Sequence, residues 1–446
     1  MLIPSPTINK HTRQYLVIDG RLTNAGKKFL KIMSVYTRQQ EHPWLLVMGW
    51  IVDKLLEYHY NNIGIKYKNA EGGKLSMLKA FKFRLYPSKE QMILINKHLG
   101  SNRFVYNYYL SKRIKTYEEN KTTLTYNQCA TDLPKLKKEF EWLKEIDSIS
   151  LQQALRNLDT AYQNFFKEVK KGNKNQGFPK FKSKRDNRLS YRTQNVNNNI
   201  SITENKIKLP KLGLVKFAKS REVGGAIKNA TISKVPSGKY FISILCEVSE
   251  PNKLPHSPNN IGIDLGIKDF AITSDGEIIS NPKYYSKYEK KLVKLQRQLS
   301  KKQKGSSNRN KARIKVARLH EKITNTRTDF LQKLSTRLIN ENQVICLEDL
   351  NVEGMVKNHK LAKSISDVSW SSFTTMLKYK AEWYGRQIIV IDRYFPSSKL
   401  CNVCGWKYQD LGLSIREWTC SECKTHHDRD INASINILKE GLKQIV

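Results

Sequence analysis

Asp264 lies inside the apolar run Ile261-Gly-Ile-Asp-Leu-Gly-Ile267, which reads as a buried strand. A carboxylate placed there is costly unless something compensates it. Two more acids sit at ends of apolar elements. Glu348 closes the strand-like Val344-Ile-Cys-Leu-Glu348, and Asp430 opens the last apolar helix, in Asp428-Arg-Asp-Ile-Asn-Ala-Ser-Ile-Asn436. Divalent metal is the natural compensation for several such groups converging. Two metals about 3.5–4 Å apart can activate water and stabilise the leaving oxygen of a phosphodiester. Hard oxygen ligands suit that chemistry and thiolates do not. Singly, each signal has a plainer reading. Asp-Leu-Gly after apolar residues also occurs in actin-like ATPases, and an acid at a strand end is commonly a cap or turn former. The order strand Asp, strand Glu, last-helix Asp is sharper. Neither a Walker-A loop nor a Rossmann fingerprint is present.

Seven cysteines are present, and four of them form two Cys-x-x-Cys pairs, Cys401/Cys404 and Cys420/Cys423. Two knuckles at this separation indicate one tetrahedral Zn²⁺ bound by four thiolates, a closed structural site. His426 and His427 then read as polar neighbours of Asp430. The isolated Cys129, Cys246 and Cys346 leave no disulfide framework, and Cys246 and Cys346 read as inert core residues.

Lys and Arg number 79 against 40 Asp and Glu, a formal charge of +39 spread along 446 residues. Such a surplus points to a polyanionic partner, not to a membrane surface. No run of roughly 18 apolar residues appears, so no membrane-spanning helix is expected. The first ten residues lack the order of a secretory signal. An intracellular protein of two to four domains is expected.

Along the chain, residues 1–76 stand apart, with one buried helix expected near Trp44–Tyr58. Leu78–Tyr86 alternates as a half-buried strand, and Ser88 with Gln91 forms a capping box for the helices that follow. Leu151, Leu155, Leu158, Tyr162 and Phe165 make one apolar helical stripe, read as bundle core. The basic loop to Arg185 carries Phe178, Lys180, Phe181, Lys182 and Lys184. It can track a phosphate backbone while its aromatics stack on bases, or act as a solvated linker. Five short strands over 200–248 suggest a small β-barrel or meander, which Leu78–Tyr86 could complete. Residues 284–342 read as a basic hairpin of two long helices.

The residues Gly262-Ile-Asp-Leu-Gly-Ile-Lys268, Leu347-Glu-Asp-Leu-Asn351, the double Cys-x-x-Cys and Asp428-Arg-Asp-Ile-Asn-Ala-Ser434 stand in the order found in the TnpB (OrfB) family. These are nucleases of prokaryotic insertion sequences, and they resemble compact ancestors of type V CRISPR effectors. The opening Lys79-Phe-Lys-Phe-Arg-Leu-Tyr-Pro87 is similar too. The resemblance implies an α/β multidomain chain. It would have an RNase H-like (RuvC) nuclease domain with an inserted zinc ribbon, and a wedge β-barrel carrying an inserted helical recognition lobe. The expected boundaries are an extension at 1–76, the first wedge strand at 77–87, the helical lobe at 88–185 and the wedge barrel at 186–255. The nuclease domain follows at 256–396, the zinc ribbon at 397–425, and the end of the nuclease domain at 426–446.

The resemblance implies Asp264, Glu348 and Asp430 as catalytic ligands of two Mg²⁺ ions, and Cys401, Cys404, Cys420 and Cys423 as zinc ligands. It implies a guide RNA transcribed from the transposon end, double-stranded target DNA, and a cytoplasmic, nucleoid-associated location. Lys180, Phe181, Lys182, Lys184 and Arg185 are the expected nucleic-acid contacts. Three departures stand out. Residues 1–76 match nothing in the family, Lys424 replaces a glycine common after the second knuckle, and Ser434 replaces a common alanine. Members without their carboxylates act as RNA-guided repressors, whereas all three acids are intact here. A transposase joining DNA strands itself would need a nucleophile or recombinase signature, and none is seen.

Overall fold

The computed structural model describes residues 75–172, 177–184, 189–249, 253–358, 361–412 and 414–445, besides three two-residue strand pieces before residue 70. The helix expected near Trp44–Tyr58 lies outside the described residues. Two compact units form: one ends at Glu250, and the other is Pro251–Val446 together with the hairpin tip Val235–Lys239.

In the first unit, strand β1 (Leu75–Tyr86) buries Met77, Phe81, Phe83 and Leu85 and exposes Leu78, Lys82 and Tyr86. This is the period-two pattern of a strand with one face on a core. Pro87 follows β1, and Ser88 caps α1 (Lys89–Asn120) through the expected reciprocal box with Gln91. Thr125 caps α2 (Tyr126–Glu139) in the same way, and Asp147 caps α3 (Ser148–Lys170). The α3 stripe buries Leu151, Leu155, Leu158 and Tyr162 against Val105, Tyr109 and Leu133, while Phe165 stays at its margin.

The chain then returns through β2 (Leu189–Gln194), β3 (Ser201–Thr203), β4 (Lys206–Leu209), β5 (Gly213–Phe217), β6 (Ala226–Lys234) and β7 (Tyr240–Ser249). Their order in the sheet is β2-β6-β7-β1-β5-β4-β3. β1 runs antiparallel to β7 from Leu85↔Tyr240 to Ser76↔Ser249, so a strand from before the helices lies mid-sheet. The helices are therefore an insertion, as the alternation of Leu78–Tyr86 suggested. β2 is the strand that the sequence did not announce, because its Ser, Arg, Thr and Gln hide the alternation.

In the second unit, β8 (Asn260–Leu265), β9 (Asp269–Thr273) and β10 (Ile278–Ser280) form a meander. The hairpin of α4 (Tyr284–Ser300) and α5 (Ser307–Glu341) turns at Gly305, whose φ is +87°. Next come β11 (Val344–Leu347), the short α6 (Ala362–Val368), α7 (Trp370–Tyr384) and β12 (Gln387–Val390). The sheet order is β10-β9-β8-β11-β12, with β8, β11 and β12 mutually parallel. A two-stranded ribbon, β13 (Glu417–Thr419) and β14 (His426–Asp428), precedes the last helix α8 (Arg429–Leu442).

All four residues of β11 are buried. Ile345 and Leu347 join Leu331, Leu338, Phe373 and Leu377 in one core, whereas Val344 and Cys346 join Ile389 and Ile437 of α8 in another. A parallel strand covered on both faces reads as an unbroken apolar run, and this one does. The Cys346 thiol is pushed up to about 11 by burial, in keeping with an inert core residue. No helix among the described residues is long and apolar enough to cross a membrane.

Candidate functional site

Strand periodicity puts the acids on one side of the sheet. On β8, Ile261, Ile263 and Leu265 enter the α5/α7 core, so Gly262 and Asp264 face the other way, toward α8. On β11, Val344 and Cys346 face α8, and Glu348 continues that phase one residue past the strand. The parallel register pairs Ile263 with Leu347, which sets Asp264 beside Glu348. Asp430 lies in the first turn of α8, where the Asp428 side chain accepts the backbone N–H groups of Asp430 and Ile431, both at 2.9 Å.

Glycine lets α8 come this close. A Cβ on Gly262 would collide with the Ser434 carbonyl oxygen and lie 2.7 Å from the Leu438 nitrogen, and one on Gly441 would strike the Cys346 sulfur. Ser434 itself is fully buried, and its hydroxyl donates to the Ile431 carbonyl at 2.8 Å. The substitution of serine for alanine therefore leaves no orphaned polar group.

The electrostatics follow from this convergence. Asp264 is only partly exposed, and its carboxyl is pushed up to about 8. Desolvation is the largest cause, followed by the charges of Glu348 and Asp430, with Arg429 opposing. The donors are hard oxygens on three separate elements, with the charges of Glu348 and Asp430 acting on a largely buried Asp264. That set fits divalent cations such as Mg²⁺.

Two of the acids are also held by neighbouring side chains. The Ser397 hydroxyl donates to Glu348 Oε1 at 2.6 Å, and the Arg416 guanidinium lies 3.2 Å from Asp430 Oδ2. Asn432 and Asn436 of α8 clamp the segment between β12 and the first knuckle. Asn432 donates to the Leu400 carbonyl and accepts from the Asn402 N–H; Asn436 donates to the carbonyls of Ser397 and Leu400. None of Ser397, Arg416, Asn432 or Asn436 was singled out from the sequence. The i, i+4 spacing of two buried asparagines on an apolar helix was the available signal.

The four cysteines are drawn together with every sulfur within 4.8 Å of the others, and they are the one such metal-ligating group among the described residues. The Cys401–Cys423 and Cys404–Cys420 sulfurs are 3.5 and 3.6 Å apart. Tetrahedral zinc with bonds of about 2.3 Å would set its sulfurs roughly 3.8 Å apart, so the cluster fits that ion. Hydrogen bonds with the Thr425 hydroxyl and backbone pull the Cys423 thiol down to about 6.

The residue after each knuckle is left-handed, Gly405 at φ +78° and Lys424 at φ +60°, and their N–H groups donate to Cys401 and Cys420 carbonyls respectively. Lys424 thus adopts the geometry expected of glycine, and its ammonium donates to the Ser421 carbonyl at 2.7 Å. His427 is not a neighbour of Asp430 in the expected sense. It is buried, with Nε2 3.1 Å from the Cys401 sulfur and its ring against Trp418. His426 approaches the Thr419 hydroxyl instead.

Of the expected nucleic-acid contacts, Lys180, Phe181, Lys182 and Lys184 are exposed on one loop of the first unit, and Arg185 lies outside the described residues. Asn107 of α1 anchors this loop by bonding both the N–H and the carbonyl of Lys182, at 2.8 and 2.9 Å. The Lys182 ammonium lies 4.0 Å from the Tyr106 ring centre. Phe178 packs edge-on against Tyr162 and Phe165 and so anchors the loop, while Phe181 is 56% exposed.

Family models match in three stretches: "Helix-turn-helix domain" over 77–122, "Probable transposase" over 243–359 and "Cas12f1-like, TNB domain" over 370–437. In this chain the first stretch is a strand followed by one long helix. A Streptomyces pristinaespiralis protein named "Putative RNA-guided DNA endonuclease" is 42% identical over 82% of this chain and 89% of its own length. The Escherichia coli K12 protein "Putative RNA-guided DNA endonuclease InsQ" is 33% identical over 82% and 93%. Among solved structures, a Cas12f1–sgRNA–target DNA complex aligns over 81% of this chain and 98% of its own, at 12% identity and TM-score 0.44.

Proposed function

Because the chain belongs to the TnpB/OrfB family, with a 42% identical relative matched over 89% of its length, we propose that it is an RNA-guided, metal-dependent DNA endonuclease. The observation that carries the chemistry is the convergence of Asp264, Glu348 and Asp430 beside one sheet face, where burial first and then the charges of Glu348 and Asp430 raise the Asp264 carboxyl. Divalent cations held there would supply the Lewis acidity that phosphodiester hydrolysis needs. The chain's own part is to hold three hard oxygen donors on rigid elements. The strand order β10-β9-β8-β11-β12, with helices on both faces, supports an RNase H-like (RuvC) reading of 256–396 and 426–446. The four thiolates at 397–425 would hold structural zinc. The sheet built on β1 would be the wedge barrel, and the helices inserted after it the recognition lobe.

The exposed Lys180, Phe181, Lys182 and Lys184, with Arg185, suit backbone and base contacts to RNA or DNA. The guide would be transcribed from the transposon end, and the complex would associate with the nucleoid. The intact carboxylates favour cleavage over binding alone.

The test is Mg²⁺-dependent cutting by the purified ribonucleoprotein. Asp264→Ala or Asp430→Ala should abolish cleavage, a loss of at least about a thousandfold, and leave nucleic-acid binding within a few-fold. Wild-type-like cutting by either variant would sink the assignment.

A further inference from the structure

Glu348 lies one residue beyond β11, and its side chain is partly exposed. A glutamate in such a place has three side-chain torsions to settle, and rotamer freedom costs whatever must be frozen when a ligand binds. Ser397 supplies the constraint. Its residue is buried, and its hydroxyl donates to Oε1 of Glu348 at 2.6 Å.

Ser397 is itself fixed from several sides. Its N–H donates to the Phe395 carbonyl at 2.8 Å, and its own carbonyl accepts from Asn436 at 2.8 Å. Asn436 lies on α8, the helix that carries Asp430. The bond therefore ties Glu348, through one short segment, to the element bearing another acid of the same set. With Oε1 engaged by a donor, Oε2 is the oxygen left to meet a cation. Asp264 receives no such side-chain support; Asp430 has Arg416.

Resting on the reading of Asp264, Glu348 and Asp430 as metal ligands, we propose that Ser397 is a positioning residue. It orients the Glu348 carboxylate and thereby sets the divalent-cation affinity of the site. Hydrogen bonds from outer groups to ligating carboxylates commonly change metal affinity by about 10–100-fold. A serine that merely fills space would not.

The experiment measures Mn²⁺ binding by electron paramagnetic resonance on the full-length chain with the RNA it carries, without DNA. The Asp264→Asn variant defines the fraction bound at the carboxylates. Ser397→Ala should weaken that fraction about tenfold or more, with zinc content and melting temperature as in the wild type. Ser397→Thr, which keeps the hydroxyl, should restore it. The Mg²⁺ concentration for half-maximal cleavage should shift in parallel.

Unchanged Mn²⁺ affinity in Ser397→Ala would overturn the proposal while leaving the metal site intact. So would weakened binding accompanied by lost zinc or a lowered melting temperature, which would mark Ser397 as scaffold only. If the wild type and Asp264→Asn bind Mn²⁺ alike, the carboxylate metal site itself fails and Ser397 falls with it.

Discussion

Asp264, with a carboxyl raised from the ordinary 3.8 to about 8, is largely protonated at neutral pH while no cation offsets its neighbours. Its folded-state value lies above its unfolded one. The group therefore favours the folded state fully below about pH 4, and that contribution drains away as pH rises through 8. Partial solvent access discounts the effect, leaving an expected penalty on the order of 2 kcal/mol at pH 9. Asp264→Asn should consequently raise the melting temperature of cation-depleted protein at pH 9 and do little at pH 4. Added Mg²⁺ should stabilise the wild type at pH 9 and not the variant. Calorimetry at the two pH values checks this, and a variant equally stabilised at both would count against a strained carboxylate. The sequence showed Asp264, Glu348 and Asp430 because an acid in an apolar run is conspicuous. It hid Ser397 and Arg416, since a serine or arginine in a polar segment carries no signal until the fold brings it to a carboxylate.

α8 reaches the sheet because Gly262 and Gly441 have no side chains, and at Gly262 the contact is with helix backbone that cannot rotate away. Gly262→Ala should force the helix outward and carry Asp430 away from Asp264. The expected cost is about 1–3 kcal/mol of stability, with cleavage falling far more than that loss explains. Denaturant unfolding beside cleavage rates tests it, and a variant with normal stability and activity would show that the helix yields freely. Elements with strong local signals were legible in advance: the alternation of Leu78–Tyr86, the Ser88 capping box, the α4/α5 hairpin and the two knuckles. β2 was not, because a strand with polar residues depends on its pairing with β6 for its existence. The role of His427 was also hidden. Its position beside Cys401 comes from the fold of the β13/β14 ribbon, across a sequence separation that no local pattern spans.

At the scale of the whole chain, a formal charge of +39 suits a polyanionic partner, and a metal site of the kind proposed for the three carboxylates by itself reads no sequence. Its donors can meet only cations and a phosphodiester, which is the same at every step of a duplex. Among the described residues no base-reading device stands out: the stretch 77–122 holds one long helix after a strand, and the knuckles carry four thiolates and not the Cys₂His₂ set of a base-reading finger. What is exposed instead is basic and aromatic, as at Lys180, Phe181, Lys182 and Lys184, which suits backbone and shape recognition of RNA. On the RNA-guided reading, specificity comes from base pairing by a bound strand, with the protein reading a short flanking motif. The purified protein should carry a noncoding RNA, and its binding should weaken steeply with salt as many phosphates are neutralised. Exchanging the terminal segment of that RNA should move the cut to the DNA complementary to the new segment. Cleavage that stays at the original site, or that proceeds equally once the RNA is stripped away, would mean that the protein itself chooses where to cut.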